Sequence, residues 1–244
     1  MLVDGMRKSS ARISRDELDA VAKYAAKATW PSGFVIFQRG SSADGIFIVL
    51  SGRVVLRSRV KAGRAFVPAI ASEGETFGAE GLSQNARYVT DARADEESET
   101  LHLSGTRFRA FLREQPQHAL ALLGQIVAER SALLEKLREL ATLSVEQRLV
   151  ATLVRLAQQG TFTEDDGRIA LGPAQYRLLC ELVGATRESV SLVLSRLVSE
   201  GAAERSGASI LIAPPSALAA RLDGAWLDAG GTLPLTSEIG DGVR

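Results

Sequence analysis

The stretch CELVGATRESVSLVLSRL, residues 180–197, holds the residues best suited to chemistry. Cys180 stands four residues before Gly184 and ten before Val190. Two helices meeting across a tight turn need a small residue at their closest approach, a glycine that can take positive φ, and an apolar anchor on the second helix. These three residues fill those places. In the second helix Val190, Val193, Leu194 and Leu197 follow i, i+3, i+4, i+7 and must face a core. Arg187, Glu188, Ser191, Leu192, Ser195 and Arg196 are left outside, and the first turn also presents Thr186. Such a turn suits DNA base edges: arginine bonds guanine in a bidentate fork, and glutamate accepts from cytosine N4. Leu192 can meet a thymine methyl and Arg196 a phosphate. A helical pair used only for protein contacts is the competing reading.

Other chemistries lack a residue set. Cys180 is the single cysteine, which excludes an intramolecular disulfide, a four-thiolate zinc site and an all-cysteine iron-sulfur cluster. Its spacing makes it a small core residue. Only His102 and His118 remain for metal or haem. His102 alternates with Leu101 and Leu103 and is expected to point outward from a strand, while His118 is expected on a solvated helix face. GxSxG, HExxH, a Walker loop and a GxGxxG after a strand are all absent, so the chain is not expected to be an enzyme and no metal site is expected.

The elements that position the turn can be read from pattern. With 244 residues, 45% apolar and 24% charged, and 29 basic against 29 acidic side chains, the chain has material for two packed units. That balance excludes wholesale disorder and a polycationic nucleic-acid coat. No apolar run approaches the ~20 residues of a membrane span, and MLVDGMRKSSARISRDELD lacks a signal peptide's hydrophobic stretch. A cytoplasmic protein without a membrane partner is expected. Ser14 and Glu17 form a capping box for a short helix to about Lys27. From 30 to 103 come short β-rich runs (FVIF, GIFIVL, GRVVLRSRV, RAFVPAIA, ARYVTDA and ETLHLS) between turn residues, which point to an antiparallel sandwich or barrel. Arg53, Arg57, Arg59, Lys61 and Arg64 make one hairpin basic, as a solvated face or a contact for DNA flanks or an acidic partner.

After Ser104 the pattern is helical to about Gln159. Within 116–141 one stripe is Leu120, Leu123, Val127, Leu134, Leu137 and Ala141, interrupted by Arg130; a second is Leu122, Ile126, Leu133 and Leu140. One stripe docks a helix on its own domain, so two predict a parallel homodimer along this helix; burial between two parts of one monomer is the alternative. Ser144 and Gln147 cap a fresh helix, placing a boundary near Thr142. Pro173 opens the next helix, Gly201 closes the one starting at Arg187, and ERSGASILIA reads as a two-stranded wing turning at Ser206 and Gly207. A short helix ALAARLDGAWL and a mobile glycine-rich tail are expected at the end. Between 144 and 213 seven arginines face eight acidic residues, so attraction to phosphate is modest and binding must rely on a dimer and two matched half-sites.

FxxGSSADGIFIVLSGRVVL at 37–56, GETFGAEGL at 74–82 with Arg87, and LVGATRESV at 182–190 together carry a resemblance to the Crp/Fnr family of bacterial transcription regulators. The resemblance covers roughly 13–213. It implies an α+β fold: a cyclic-nucleotide-binding-like antiparallel β-roll over 1–115, a dimerisation helix and hinge over 116–142, a winged helix-turn-helix over 143–214, and an extension over 215–244. It further implies a homodimer on a palindromic promoter site that recruits or blocks RNA polymerase, with an effector in the roll. A nucleotide-controlled module that docks on an enzyme or channel is the alternative function. The implied effector residues are Gly78, Ala79, Glu80, Arg87 and Tyr88. In cyclic-nucleotide-binding relatives a Gly-Glu pair opens a short helix at the phosphate, the glutamate takes the ribose 2′-hydroxyl, and an arginine about ten residues after the glycine pairs with the phosphate. Here Ala79 follows Gly78, Glu80 comes one position late, Arg87 about one early, and Tyr88 replaces a small residue. The positions that offer hydroxyls to the purine fall at Leu133 and Leu134. A cyclic nucleotide is thus the implied cofactor class, and the cassette departs from the cyclic AMP pattern.

Overall fold

Ser14 opens the first helix with the expected reciprocal bonds. Its hydroxyl accepts from the Glu17 amide at 3.4 Å, and the Glu17 carboxylate accepts from the Ser14 amide at 2.6 Å. In the computed structural model, which describes residues 12–59, 65–158, 162–164, 166–214 and 218, this helix, α1, spans Arg15–Ala22. It ends earlier than expected because the amides of Tyr24 and Ala25 fold back onto the Val21 carbonyl and the chain enters strand β1 at Ala26–Trp30. Lys61, Arg64, the far N-terminus and, apart from Leu218, residues 215–244 lie outside the described residues.

The backbone divides into two units, Met1–Ala141 and Thr142–Arg244. In the first, β2 (Val35–Phe37), β3 (Gly45–Ser51), β4 (Arg53–Arg59), β5 (Ala65–Ser72), β6 (Thr76–Gly81), β7 (Asp91–Ala94) and β8 (Ser98–Leu103) follow β1. They form two antiparallel four-stranded sheets, ordered β1-β8-β3-β6 and β2-β7-β4-β5. The unbroken apolar run in β3 has a reason: both of its faces are covered. Ile46 and Ile48 pack toward the helices, while Phe47 and Val49 join Phe37, Val54, Phe77 and Tyr88 in a second core. Ser104 caps α2 (Gly105–Glu114), which buries Phe108 and Phe111. The 27-residue α3 (Pro116–Thr142) adds Ala119 and Leu122 to that core, with Ile126 packed against it. Its other stripe is open: Leu120 is 69% exposed, Val127 63%, Leu134 57% and Leu137 62%.

In the second unit α4 (Val145–Gln158) starts with the reciprocal Ser144–Gln147 bonds. Then come β9 (Ile169–Leu171), α5 (Pro173–Val183), α6 (Arg187–Ser199), β10 (Ala203–Ser206) and β11 (Ser209–Ile212). Leu149, Leu153, Leu179, Val183, Val190 and Leu194 fill the core between α4, α5 and α6. The wing has three strands rather than the expected two, ordered β10-β11-β9, because Ile169–Leu171 pairs with Ile210–Ile212.

Candidate functional site

Gly184 sits at φ 66° and ψ 40° at the end of α5, the left-handed conformation that glycine takes at least cost. The chain can therefore turn at once into α6. Buried Cys180 lies where the two helices meet, and burial pushes its thiol pKa up, as for a packing residue. Thr186 caps α6 by accepting from the Ser189 amide at 3.3 Å. Because Val190, Val193, Leu194 and Leu197 are buried, Arg187, Glu188, Ser191 and Leu192 stand in the open, Leu192 at 68% exposure. The helix's own first-turn amide and the Thr186 hydroxyl hold the Glu188 carboxyl below its ordinary pKa, so it stays an acceptor. Arg196 is spent on an ion pair, donating to Glu146 at 2.6 Å. Both groups are largely exposed, so the pair is weak and open to exchange.

The first turn of α6 forms one wall of an open groove of about 430 Å³ lined by Tyr176, Arg187, Glu188, Ser191, Leu194, Arg205 and Ile210. The register pairs Arg205 with Ile210 across the wing, which puts both on one face, toward α6. Arg187 lies over the Tyr176 ring at 5.7 Å, and the Tyr176 hydroxyl donates to the Arg187 carbonyl at 3.0 Å. Arg168 is neutralised by Asp166 and Glu204, each at 2.6 Å. Arg177, Arg187 and Arg205 form no ion pair among the described residues. Tyr176 and Arg205 escaped the sequence reading. The available signals were an aromatic residue four places before Cys180, on the face that meets α6, and a basic residue in the first wing strand.

The β-roll cassette is arranged differently from what the resemblance implies. Residues 76–81 are strand β6, and the amides of Leu82 and Ser83 only close turns onto Ala79 and Glu80, so the phosphate-holding helix after Gly78 is not formed. Gly78, at φ 72°, is packed under rings: an added Cβ would lie 3.1 Å from Phe37 and 3.3 Å from both Phe47 and Tyr88. Tyr88 is buried and stacked on Phe37 at 3.6 Å and 7°. Arg87 is exposed and donates to the Gly40 carbonyl at 2.6 Å rather than pairing with Glu80, while Glu80 accepts from the Val89 amide at 3.4 Å. On α3, burial and then the charge of Glu80 push the Glu129 carboxyl up to about 7. Gln125 Nε2 is buried nearby on α3 without a hydrogen-bond partner among the described residues. Leu133 and Leu134 are exposed and offer no hydroxyl. The cassette therefore departs from the arrangement the resemblance implies for a cyclic nucleotide: Arg87 is held by the Gly40 carbonyl, Tyr88 is buried against Phe37, and the Glu129 carboxyl feels the charge of Glu80.

Two further expectations are corrected. His102, expected to point outward from its strand, is half-buried and stacked on Phe47 at 4.5 Å, with Nε2 held against the Asp44 carbonyl, because its neighbours on β3 reach over it. His118 is half-buried rather than solvated, lying beside core residue Ala119 at the start of α3. In the basic hairpin, Arg53 is paired with Asp95 at 3.0 Å and Glu96 at 3.4 Å, which removes it from any free cationic face.

The sequence matches the cyclic nucleotide-binding domain family over residues 27–115 and the Crp-like helix-turn-helix domain family over residues 147–221. It is 32% identical over 197 residues to the cyclic AMP receptor protein of Thermus thermophilus, covering 78% of this chain and 84% of that one. It is 24% identical to a CRP-like cAMP-activated global transcriptional regulator of Mycobacterium tuberculosis, covering 83% and 90%. The structure of CLP, a c-di-GMP responsive global regulator of Xanthomonas campestris, superposes with a TM-score of 0.71 at 21% identity over 82% of this chain and 99% of that one, which is a likeness of fold.

Proposed function

Because the chain belongs to the Crp/Fnr family, whose members are transcription regulators rather than enzymes, we propose that it binds double-stranded DNA by sequence. It acts in the cytoplasm, as a homodimer joined along α3, on two inverted promoter half-sites, and from there recruits or blocks RNA polymerase. No helix among the described residues is long and apolar enough to cross a membrane. The observation that carries the reading is the Thr186-capped first turn of α6, which buries its valines and leucines and leaves Arg187, Glu188, Ser191 and Leu192 exposed beside a groove with a second arginine. Arg187 and Glu188 read bases, Leu192 meets a thymine methyl, and Arg196, released from Glu146, meets a phosphate. With near-zero net charge, specificity comes from two half-sites about one helical turn, ~34 Å, apart.

An effector of nucleotide class is compatible with the matched domain. The arrangement of Arg87, Tyr88 and Glu129 argues against cyclic AMP in the usual pose. A gel shift against random duplex pools tests the main reading. The expected result is a retained fraction carrying a shared inverted repeat. Retention of no duplex would favour a module acting through protein contacts on an enzyme or channel.

A further inference from the structure

We propose that Tyr176 is a positioning residue for sequence readout, holding Arg187 and the first turn of α6 in the arrangement that meets the bases. This rests on the DNA-reading role given to Arg187 above. A long arginine side chain at an exposed helix start samples many rotamers, and fixing it on a base edge costs entropy. Tyr176 removes part of that freedom in advance. Its ring lies under the Arg187 guanidinium at 5.7 Å, within the ~6 Å reach of a cation–π contact. Its hydroxyl donates at 3.0 Å to the Arg187 carbonyl, eleven residues away across the turn, and faces the Ser191 side chain. Burial pushes the phenol pKa up, so it remains a donor. One side chain of α5 thus ties down the side chain of one reader, the backbone of the same reader and the surroundings of a second.

The groove divides the work. Tyr176 from α5 and Arg187 from α6 line it together, and Arg205 lines it from the wing with its cross-strand neighbour Ile210. Arg205, free of acidic partners among the described residues, supplies sequence-independent attraction to phosphate, whereas the Tyr176–Arg187 pair supplies discrimination.

The test is a set of anisotropy titrations of the full chain against a duplex enriched from a random pool. Further duplexes carry a change at each symmetric base pair of that site, and one is unrelated. Tyr176→Leu is expected to reduce discrimination about two- to fivefold at the base pair that depends on Arg187, the scale of an exposed cation–π contact, while leaving affinity for the unrelated duplex within about twofold. Tyr176→Phe, which keeps the ring and loses the hydroxyl bond, should lose less discrimination than Tyr176→Leu. In an Arg187→Ala background Tyr176→Leu should change it no further. Arg205→Ala should instead weaken every duplex alike and lower the salt slope by about 1. Should Tyr176→Leu fail to fold, Tyr176→Met makes the same comparison, and the unmodified protein supplies a check without any variant: the δ protons of Arg187 should be shifted upfield by the Tyr176 ring current. Unchanged discrimination in the ring-lacking variants, an equal loss on all duplexes, effects additive with Arg187→Ala, or Arg187 δ protons at random-coil positions would each overturn the role of Tyr176. If Arg187→Ala itself leaves every base preference intact, the base-reading assignment fails first, and the role of Tyr176 fails with it.

Discussion

Replacing Arg187 by alanine removes the one side chain of the first α6 turn that can bond a base through two parallel N–H groups. The expected cost is about 1–3 kcal/mol of specific binding, concentrated at one base pair of each half-site, read by comparing dissociation constants for matched and mutated duplexes. A uniform loss across sequences would mark Arg187 as a phosphate contact instead. Glu129 offers a second residue-scale prediction. Its folded pKa, about 7, lies above the ordinary 4.5, through burial first and the charges of Glu80 and Glu75 after it, with the Thr76 hydroxyl acting the other way. The native state therefore holds this proton more tightly than the unfolded chain, so stability declines as pH rises from the unfolded pKa through the folded one and then levels off. The decline is on the order of 3 kcal/mol. Glu129→Gln should melt higher than the parent at pH 8 and converge with it near pH 4.5; parallel melting curves across that range would remove the burial cost assigned to Glu129. Gly184, Cys180 and Val190 were legible because a tight turn imposes local spacing. The partner of Arg87 was not, because Gly40 lies 47 residues away and is reached only once the roll is built.

Among the elements, α6 was legible almost to the residue: its cap, its 3.6-residue period and Gly201 are all local signals. Thr186→Ala is expected to cost about 0.5–2 kcal/mol of stability through loss of the cap, seen as a lower urea midpoint. Strands β1 and β9 were not legible. AKATW is a short edge strand that pairs with residues 98–102, and Ile169–Leu171 gains strand character only by pairing with β11. β6 was hidden by its two glycines within TFGAEG. The two stripes of α3 separate only in its first half: Leu122 and Ile126 join the core and Leu120, Val127, Leu134 and Leu137 stay outward, but Leu133 of the inner stripe is exposed as well. If the outer stripe joins two copies, Val127→Glu with Leu134→Glu should sediment as a monomer at concentrations where the parent is a dimer. A parent that sediments as a monomer, or a variant that stays dimeric, would contradict that assembly.

For the whole molecule, the formal charge of zero and the balanced second unit mean that duplex binding cannot rest on a general cationic field. The cassette carries its own prediction. Titration calorimetry with cyclic AMP is expected to show no micromolar binding. Micromolar binding abolished by Arg87→Ala would show that Arg87 can leave the Gly40 carbonyl for a phosphate. The most direct test of the central claim is selection of binding sites from a random duplex library by the parent protein and by Arg187→Ala in parallel. The parent should enrich two inverted half-sites spaced by about one helical turn, and the variant should enrich the same spacing with preference lost at one symmetric base pair. Enrichment of no shared sequence, or of the same sequence with undiminished preference at every position in the variant, would contradict it.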